Sequence, residues 1–213
     1  MRCALAGVRA AQQNRETLGG SWKTWEAGLC RTLYTLGYPE LSQPDAEFIE
    51  AFRREHDLPY RDVVAAHFTL LFGCGDVALS DYTSHVEQVA AGFPPVSFNC
   101  RYAMLGSGAD ADRDTAYVFL VPDEGYAALS LLHDALYRGL MEPFLRLDVP
   151  FIPHITIGTL RDRAEAKSLC DELNERGLSI QGRVANLTVG ELTPDRIVDL
   201  SEHRLGEMSG ASA

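Results

Sequence analysis

The chain has 213 residues, 46% of them hydrophobic and 23% charged, with a net charge of −11. That is enough apolar material to build a packed core without disulfides or a structural metal. The acidic balance argues against wrapping duplex nucleic acid or docking on anionic lipid, since both rest on Lys and Arg neutralising phosphates, but it leaves room for a small phosphorylated ligand in a locally polar cleft.

Residues 1–28 show no clean period and read as an N-terminal extension; a single domain is expected over 29–205, with a tail at 206–213. Regular structure starts with the strand LCRTLYTLGYP, followed by the helix DAEFIEAFRREHD opened by Asp45, with Phe48, Ile49 and Phe52 on one face. The strand AAHFTLLFG comes next, then a helix over about 80–91 stopped by Gly92, then the strand PVSFNCRYAML and the loop GSGADADRD. The order then repeats. The strand TAYVFLV precedes the helix EGYAALSLLHDALYRGLM, with a stripe of Leu129, Leu132, Leu136 and Leu140. After it come the strand FIPHITIGTL and the helix DRAEAKSLCDELNER, in which Asp162 and Glu165 have capping-box spacing and Gly177 marks the end. Strands around SIQGRVANLTVGEL and RIVDLSEHRL close the chain. Each half reads strand, helix, H-x-T strand, helix, strand, the mark of a duplicated unit. The fold class expected is α+β: two pseudo-symmetric lobes, each an antiparallel sheet with outer helices, around a central cleft. A doubly wound parallel sheet is disfavoured, because no glycine-rich strand-to-helix turn stands where phosphate would bind.

The two H-x-T strands carry the chemistry. Side chains on a strand alternate between faces. In His67-Phe68-Thr69-Leu70 the apolar pair goes to the core and His67 and Thr69 to the other face; in His154-Ile155-Thr156-Ile157 the same rule exposes His154 and Thr156. Composition alone gives about 0.3 such matches in a chain of this make-up, so two, at equivalent places in similar halves, point to function. A lone histidine on a sheet is more often a satisfied structural group. Two imidazoles and two hydroxyls around one cleft suit phosphodiester chemistry: one neutral ring takes a proton from the nucleophile, its protonated partner gives one to the leaving oxygen, and a pKa near 6.5 makes both forms available. The threonine hydroxyls donate to non-bridging oxygens as charge develops. No metal or other cofactor is called for.

With these motifs the chain resembles the two-histidine phosphoesterase superfamily, whose paired H-x-T-x signature is matched by His67-Phe-Thr-Leu and His154-Ile-Thr-Ile. The resemblance covers about residues 30–205 and implies RNA 2',5'-ligase-like or cyclic phosphodiesterase activity. By position, His67 and His154 become the catalytic pair and Thr69 and Thr156 the phosphate donors, with His154 taken as the base that activates water and His67 as the acid. A basic residue closely follows the second motif in many ligase-like members; here Gly158 and Thr159 stand there, which favours small cyclic phosphates. The expected reaction is hydrolysis of 2',3'-cyclic phosphates on nucleotides or RNA ends, by a cytoplasmic monomer. The rivals are a 2',5'-ligase or nuclease on structured RNA, and a non-catalytic module for a phosphorylated metabolite.

Around the motifs, Gly158 could admit substrate close to the backbone, and Phe151, Tyr38 and Tyr60 could stack a base at the groove. Arg101 and Arg146 are further candidates to attract phosphate. The loop from Asp110 to Asp114 imitates the start of a calcium loop, but Thr115 replaces the required glycine, so a solvated hairpin tip is expected. His56, His85, His133 and His203 are read as surface groups. The five cysteines, Cys3, Cys30, Cys74, Cys100 and Cys170, form no C-x-x-C pair and read as free thiols of a reducing compartment. No apolar run reaches the roughly 18–20 residues of a membrane helix, and a secretory signal at MRCALAGVRAA is disfavoured by Arg9.

Overall fold

A computed structural model describes residues 31–107, 115–147 and 150–206. The N-terminal extension, the loop from Asp110 to Asp114, most of the C-terminal tail, Cys3 and Cys30 lie outside the described residues. No helix among the described residues is long and apolar enough to cross a membrane.

Among the described residues, nine strands form one sheet. They are β1 Leu33–Gly37, β2 Pro39–Leu41, β3 Phe68–Cys74, β4 Val96–Ser107, β5 Ala116–Glu124, β6 Ile155–Leu160, β7 Ile180–Val184, β8 Asn186–Leu192 and β9 Ile197–Arg204. Four α-helices among the described residues accompany them: α1 Gln43–His56, α2 Leu79–Ala91, α3 Tyr126–Leu136 and α4 Arg163–Glu175. The strand order is β2-β7-β4-β5-β6-β3-β1-β8-β9, and every pairing is antiparallel. The order β3-β1-β8-β9 mirrors β6-β5-β4-β7, so the duplication legible in the sequence reappears in the ladders. In each half the motif strand pairs with the strand that opens that half, and the strand beyond is lent by the other half. The two runs are joined by a single ladder pair, Phe68 opposite Ile155. All the strands are thus hydrogen-bonded into one sheet, where separate sheets per lobe were expected.

The apolar faces of the strands explain the packing. Phe68, Leu70, Leu71, Leu120, Ile155 and Ile157 are fully buried in one cluster with Leu129, Leu132 and Leu136 of α3. α1 packs against β6, α2 against β9, α3 against β3 and α4 against β4. α1 begins earlier than Asp45 suggests: Ser42 caps it, its hydroxyl accepting from the Asp45 N–H at 3.3 Å, and Pro44 sits in the first turn, where no N–H is needed. α4 starts at the cap read from the sequence, with the Asp162 carboxylate accepting from the N–H groups of Ala164 (2.8 Å) and Glu165 (3.2 Å). α3 is shorter than its leucine stripe implies. The chain leaves the helix at Tyr137 and turns at Gly139, whose φ of +57° belongs to the left-handed region, into a 3₁₀ helix over Gly139–Phe144. Leu140 is accordingly 44% exposed. β2 had no counterpart in the sequence reading; it is an edge strand on β7, the place where a proline is tolerated.

Candidate active site

The Phe68–Ile155 pair lies midway in both motifs. Antiparallel register then sets His67 across from Thr156 and Thr69 across from His154. Facing side chains in such pairs sit about 5 Å apart at Cβ, and the buried residues between them pin both strands from below. His67, Thr69, His154 and Thr156 all line one cavity of about 130 Å³, shared with Arg53 and Asp57 of the α1 end. The sequence-predicted quartet is brought together.

Each histidine is fixed the same way. His67 Nδ1 lies 2.7 Å from the Ala65 carbonyl and His154 Nδ1 lies 2.6 Å from the Ile152 carbonyl. A carbonyl only accepts, so both Nδ1 atoms carry the proton and both Nε2 atoms hold the lone pair when the rings are neutral. The Thr69 hydroxyl donates to His67 Nε2 at 3.0 Å. Phe119 lies nearly flat on the His154 ring, with centroids 3.8 Å apart and 27° between planes. The rings are half-buried. Burial pushes both down from 6.5 to about 4, against the pull of the carbonyl each ring faces; the positive charge of Arg53 and the neighbouring His154 press His67 further in the same direction. The expectation of unperturbed values near 6.5 is therefore corrected: burial favours the neutral form of both rings at neutral pH.

Arg53 and Asp57 were missed in the sequence. Arg53 is 2% and Asp57 1% exposed. Arg53 Nε donates to Asp57 Oδ2 at 3.1 Å, and its Nη2 donates to the carbonyl of Val64 at 2.7 Å and that of Tyr60 at 3.4 Å. The Thr159 hydroxyl of β6 donates to Asp57 Oδ1 at 2.7 Å. This clamp ties α1 to the second motif strand and holds the loop that presents the Ala65 carbonyl to His67. A buried cation thus stands at the cavity even though Gly158 and Thr159 follow the second motif. Burial pushes Asp57 up, while the Thr159 hydroxyl and the Arg53 charge pull it down.

The other candidates fall in different places. Tyr60 lines the motif cavity. Tyr38 stands edge-on to His67 at 6.3 Å and donates to Asp199 at 3.0 Å; burial and that carboxylate raise its pKa. Phe151 and Arg146 line an adjoining cavity of about 270 Å³, which also reaches His154. Gly158 lines neither cavity: a Cβ there would meet Val118 and Leu160 at 3.2–3.3 Å, so its smallness serves packing against β5. Arg101 is held by Asp123 at 2.6 Å and Glu124 at 3.4 Å. His133, read as a surface group, is 5% exposed, because it sits on the same stripe of α3 as Leu129, Leu132 and Leu136. Its ring is stacked on Phe151 at 3.7 Å. Cys74, Cys100 and Cys170 are buried thiols outside any disulfide.

A family model described as the 2'-5' RNA ligase superfamily matches residues 41–196. Among solved structures, E. coli LigT in apo form is similar over 84% of this chain and 100% of its own, with a TM-score of 0.51 and 18% identity. TT0787 of Thermus thermophilus is similar over 83% of this chain and 99% of its own, with a TM-score of 0.53 and 20% identity. No curated protein matches. The neighbours share the fold, and the family model spans both motifs, the Arg53–Asp57 clamp and the Phe68–Ile155 pair between the halves: the chain belongs to the 2'-5' RNA ligase superfamily, the two-histidine phosphoesterases.

Proposed function

We propose that this protein is a phosphodiesterase that opens the 2',3'-cyclic phosphate of a nucleotide or an RNA end by proton transfer through His67 and His154, acting as a cytoplasmic monomer. The observation that carries the reading is the matched pair of Nδ1–carbonyl bonds, which leave two Nε2 atoms as proton carriers at one cavity. Two such groups supply both proton transfers of the reaction, and a metal-bound water is not needed for either.

An anionic phosphodiester between the rings raises the proton affinity of both. Burial is the largest effect on both rings and brings each to about 4, so the two start alike. One ring takes up the proton in the complex and passes it to the leaving ribose oxygen, while its partner takes the proton from water. The Thr69 hydroxyl, which donates to His67 Nε2, turns to a non-bridging oxygen and frees that nitrogen for proton transfer. Thr156 donates from the other strand.

Hydrolysis of a 2',3'-cyclic mononucleotide in EDTA tests the reading. His67→Ala and His154→Ala are each expected to lose about 10²- to 10⁴-fold in rate. Equal rates in the wild type and both variants overturn it, and measurable affinity without turnover in the wild type assigns a binding module instead.

A further inference from the structure

Each motif ring is oriented by a loop carbonyl just upstream, that of Ala65 for His67 and that of Ile152 for His154. A loop carbonyl orients a ring only if the loop itself is held. In both halves the residue immediately before that carbonyl is the one held from behind. The Val64 carbonyl accepts from Arg53 Nη2 at 2.7 Å. The Phe151 ring lies flat on His133, with centroids 3.7 Å apart and 13° between planes.

The two anchors occupy equivalent places in the duplicated halves. Arg53 lies on α1 and His133 on α3, the helix between the opening strand and the motif strand of its half. Each stands one helical turn before the C-cap residue of its helix and meets it. Arg53 Nε donates to Asp57 at 3.1 Å, and the His133 ring centroid lies 4.8 Å from that of Tyr137. Each cap residue in turn reaches the motif strand of the other half. Thr159 of β6 donates to Asp57 at 2.7 Å, and the Phe72 N–H of β3 donates to the Tyr137 hydroxyl at 3.0 Å. Unlike chemistry thus performs one task twice. A guanidinium fork serves carboxylate and carbonyl together on one side, and two flat rings stack on the other.

We infer that Arg53 and His133 are positioning residues, each seating one motif histidine: Arg53 holds the Val64–Ala65 peptide behind His67, and His133 holds the Phe151–Ile152 segment behind His154. This deepens the proposed function and rests on it for the task of the two rings.

Imidazole nitrogen NMR separates the two ideas, because it reads the tautomer of each ring without turnover. In wild type both motif rings should show the Nδ1–H tautomer. Arg53→Lys keeps a cation beside Asp57 but loses the fork; it should lower the Nδ1–H share at His67 and leave His154 as it is. His133→Leu removes one flat face of the stack and should do the reverse, while His133→Phe keeps the stack and should retain the wild-type signal. On a 2',3'-cyclic mononucleotide, Arg53→Lys and His133→Leu should each lower kcat about ten- to hundredfold, with KM within about twofold of wild type. Where either variant does not fold, Thr159→Val on the first side or Phe151→Leu on the second takes its place and should act on the same ring. A variant that moves both rings, neither ring or the ring of the other half overturns the assignment, and so does an unchanged kcat where the ring has moved. If wild type opens no cyclic phosphate yet the rings respond one by one, the seating stands and the proposed reaction alone falls.

Discussion

Lowering the pH should destabilise this protein through its two motif histidines, and the size of the effect follows from their surroundings. Each ring has a proton affinity reduced from 6.5 to about 4 in the folded chain, whereas in the unfolded chain it is near 6.5. Between these values the unfolded state binds more protons, so stability is whole above about pH 6.5 and is lost as the pH falls toward 4. Each tenfold change in proton affinity corresponds to about 1.4 kcal/mol, giving an upper bound of about 3 kcal/mol per ring. Both rings keep some contact with solvent, which cuts this to about 1–2 kcal/mol each. The perturbation is the double variant His67→Asn, His154→Asn, whose amides can still donate to the Ala65 and Ile152 carbonyls but do not titrate. The assay is urea unfolding at pH 7.5 and 4.5. Wild type should lose about 2–4 kcal/mol more than the variant between these conditions; carboxylates such as Asp57 and Asp123, which also titrate, cancel in the comparison. Identical losses in the two proteins would refute the claim that burial holds these rings neutral.

Arg53→Met leaves the Asp57 carboxylate buried without its cation, and urea unfolding should show a loss of about 3–5 kcal/mol. Thr159→Val removes one hydrogen bond to that carboxylate and should cost about 1.5–3 kcal/mol by the same measurement. Gly106→Ala places a Cβ 2.1 Å from the Phe119 ring, which in turn lies on His154; the turnover rate should fall at least about tenfold as the ring is pushed from its position, and an unchanged rate would show that Phe119 does not seat His154.

The motif strands were legible because their signal is local. Alternation puts Phe68 and Leu70, Ile155 and Ile157 into the core and the His and Thr residues on the other face, whatever the rest of the chain does. His133 was misread as a surface group and Arg53 was not singled out at all, for one shared reason. Each stands four residues after a buried apolar residue of its helix, Arg53 after Ile49 and His133 after Leu129. Periodicity places both on the buried stripe, but the groups that make their burial tolerable carry no pattern in the sequence: Asp57 and the Tyr60 and Val64 carbonyls around Arg53, and the Phe151 ring on His133. β2 was missed because three residues beginning with proline carry no alternation; only the edge of β7 makes them a strand. The mirrored strand order follows from the duplication, but the exchange of strands between halves is a property of long-range pairing that no window of sequence displays.

The lone Phe68–Ile155 pair at the centre of the sheet acts as a local dyad that relates His67 to His154 and Thr69 to Thr156, setting each histidine across from the other's threonine. A reacting group meets nearly the same donors from either side. Under the proposed reaction, microscopic reversibility runs bond making through the same two rings with their duties exchanged. Whether such a centre cuts a linkage or seals one then follows from which oxygen nucleophile is abundant at its mouth, water or a ribose hydroxyl, rather than from any rebuilding of the catalyst.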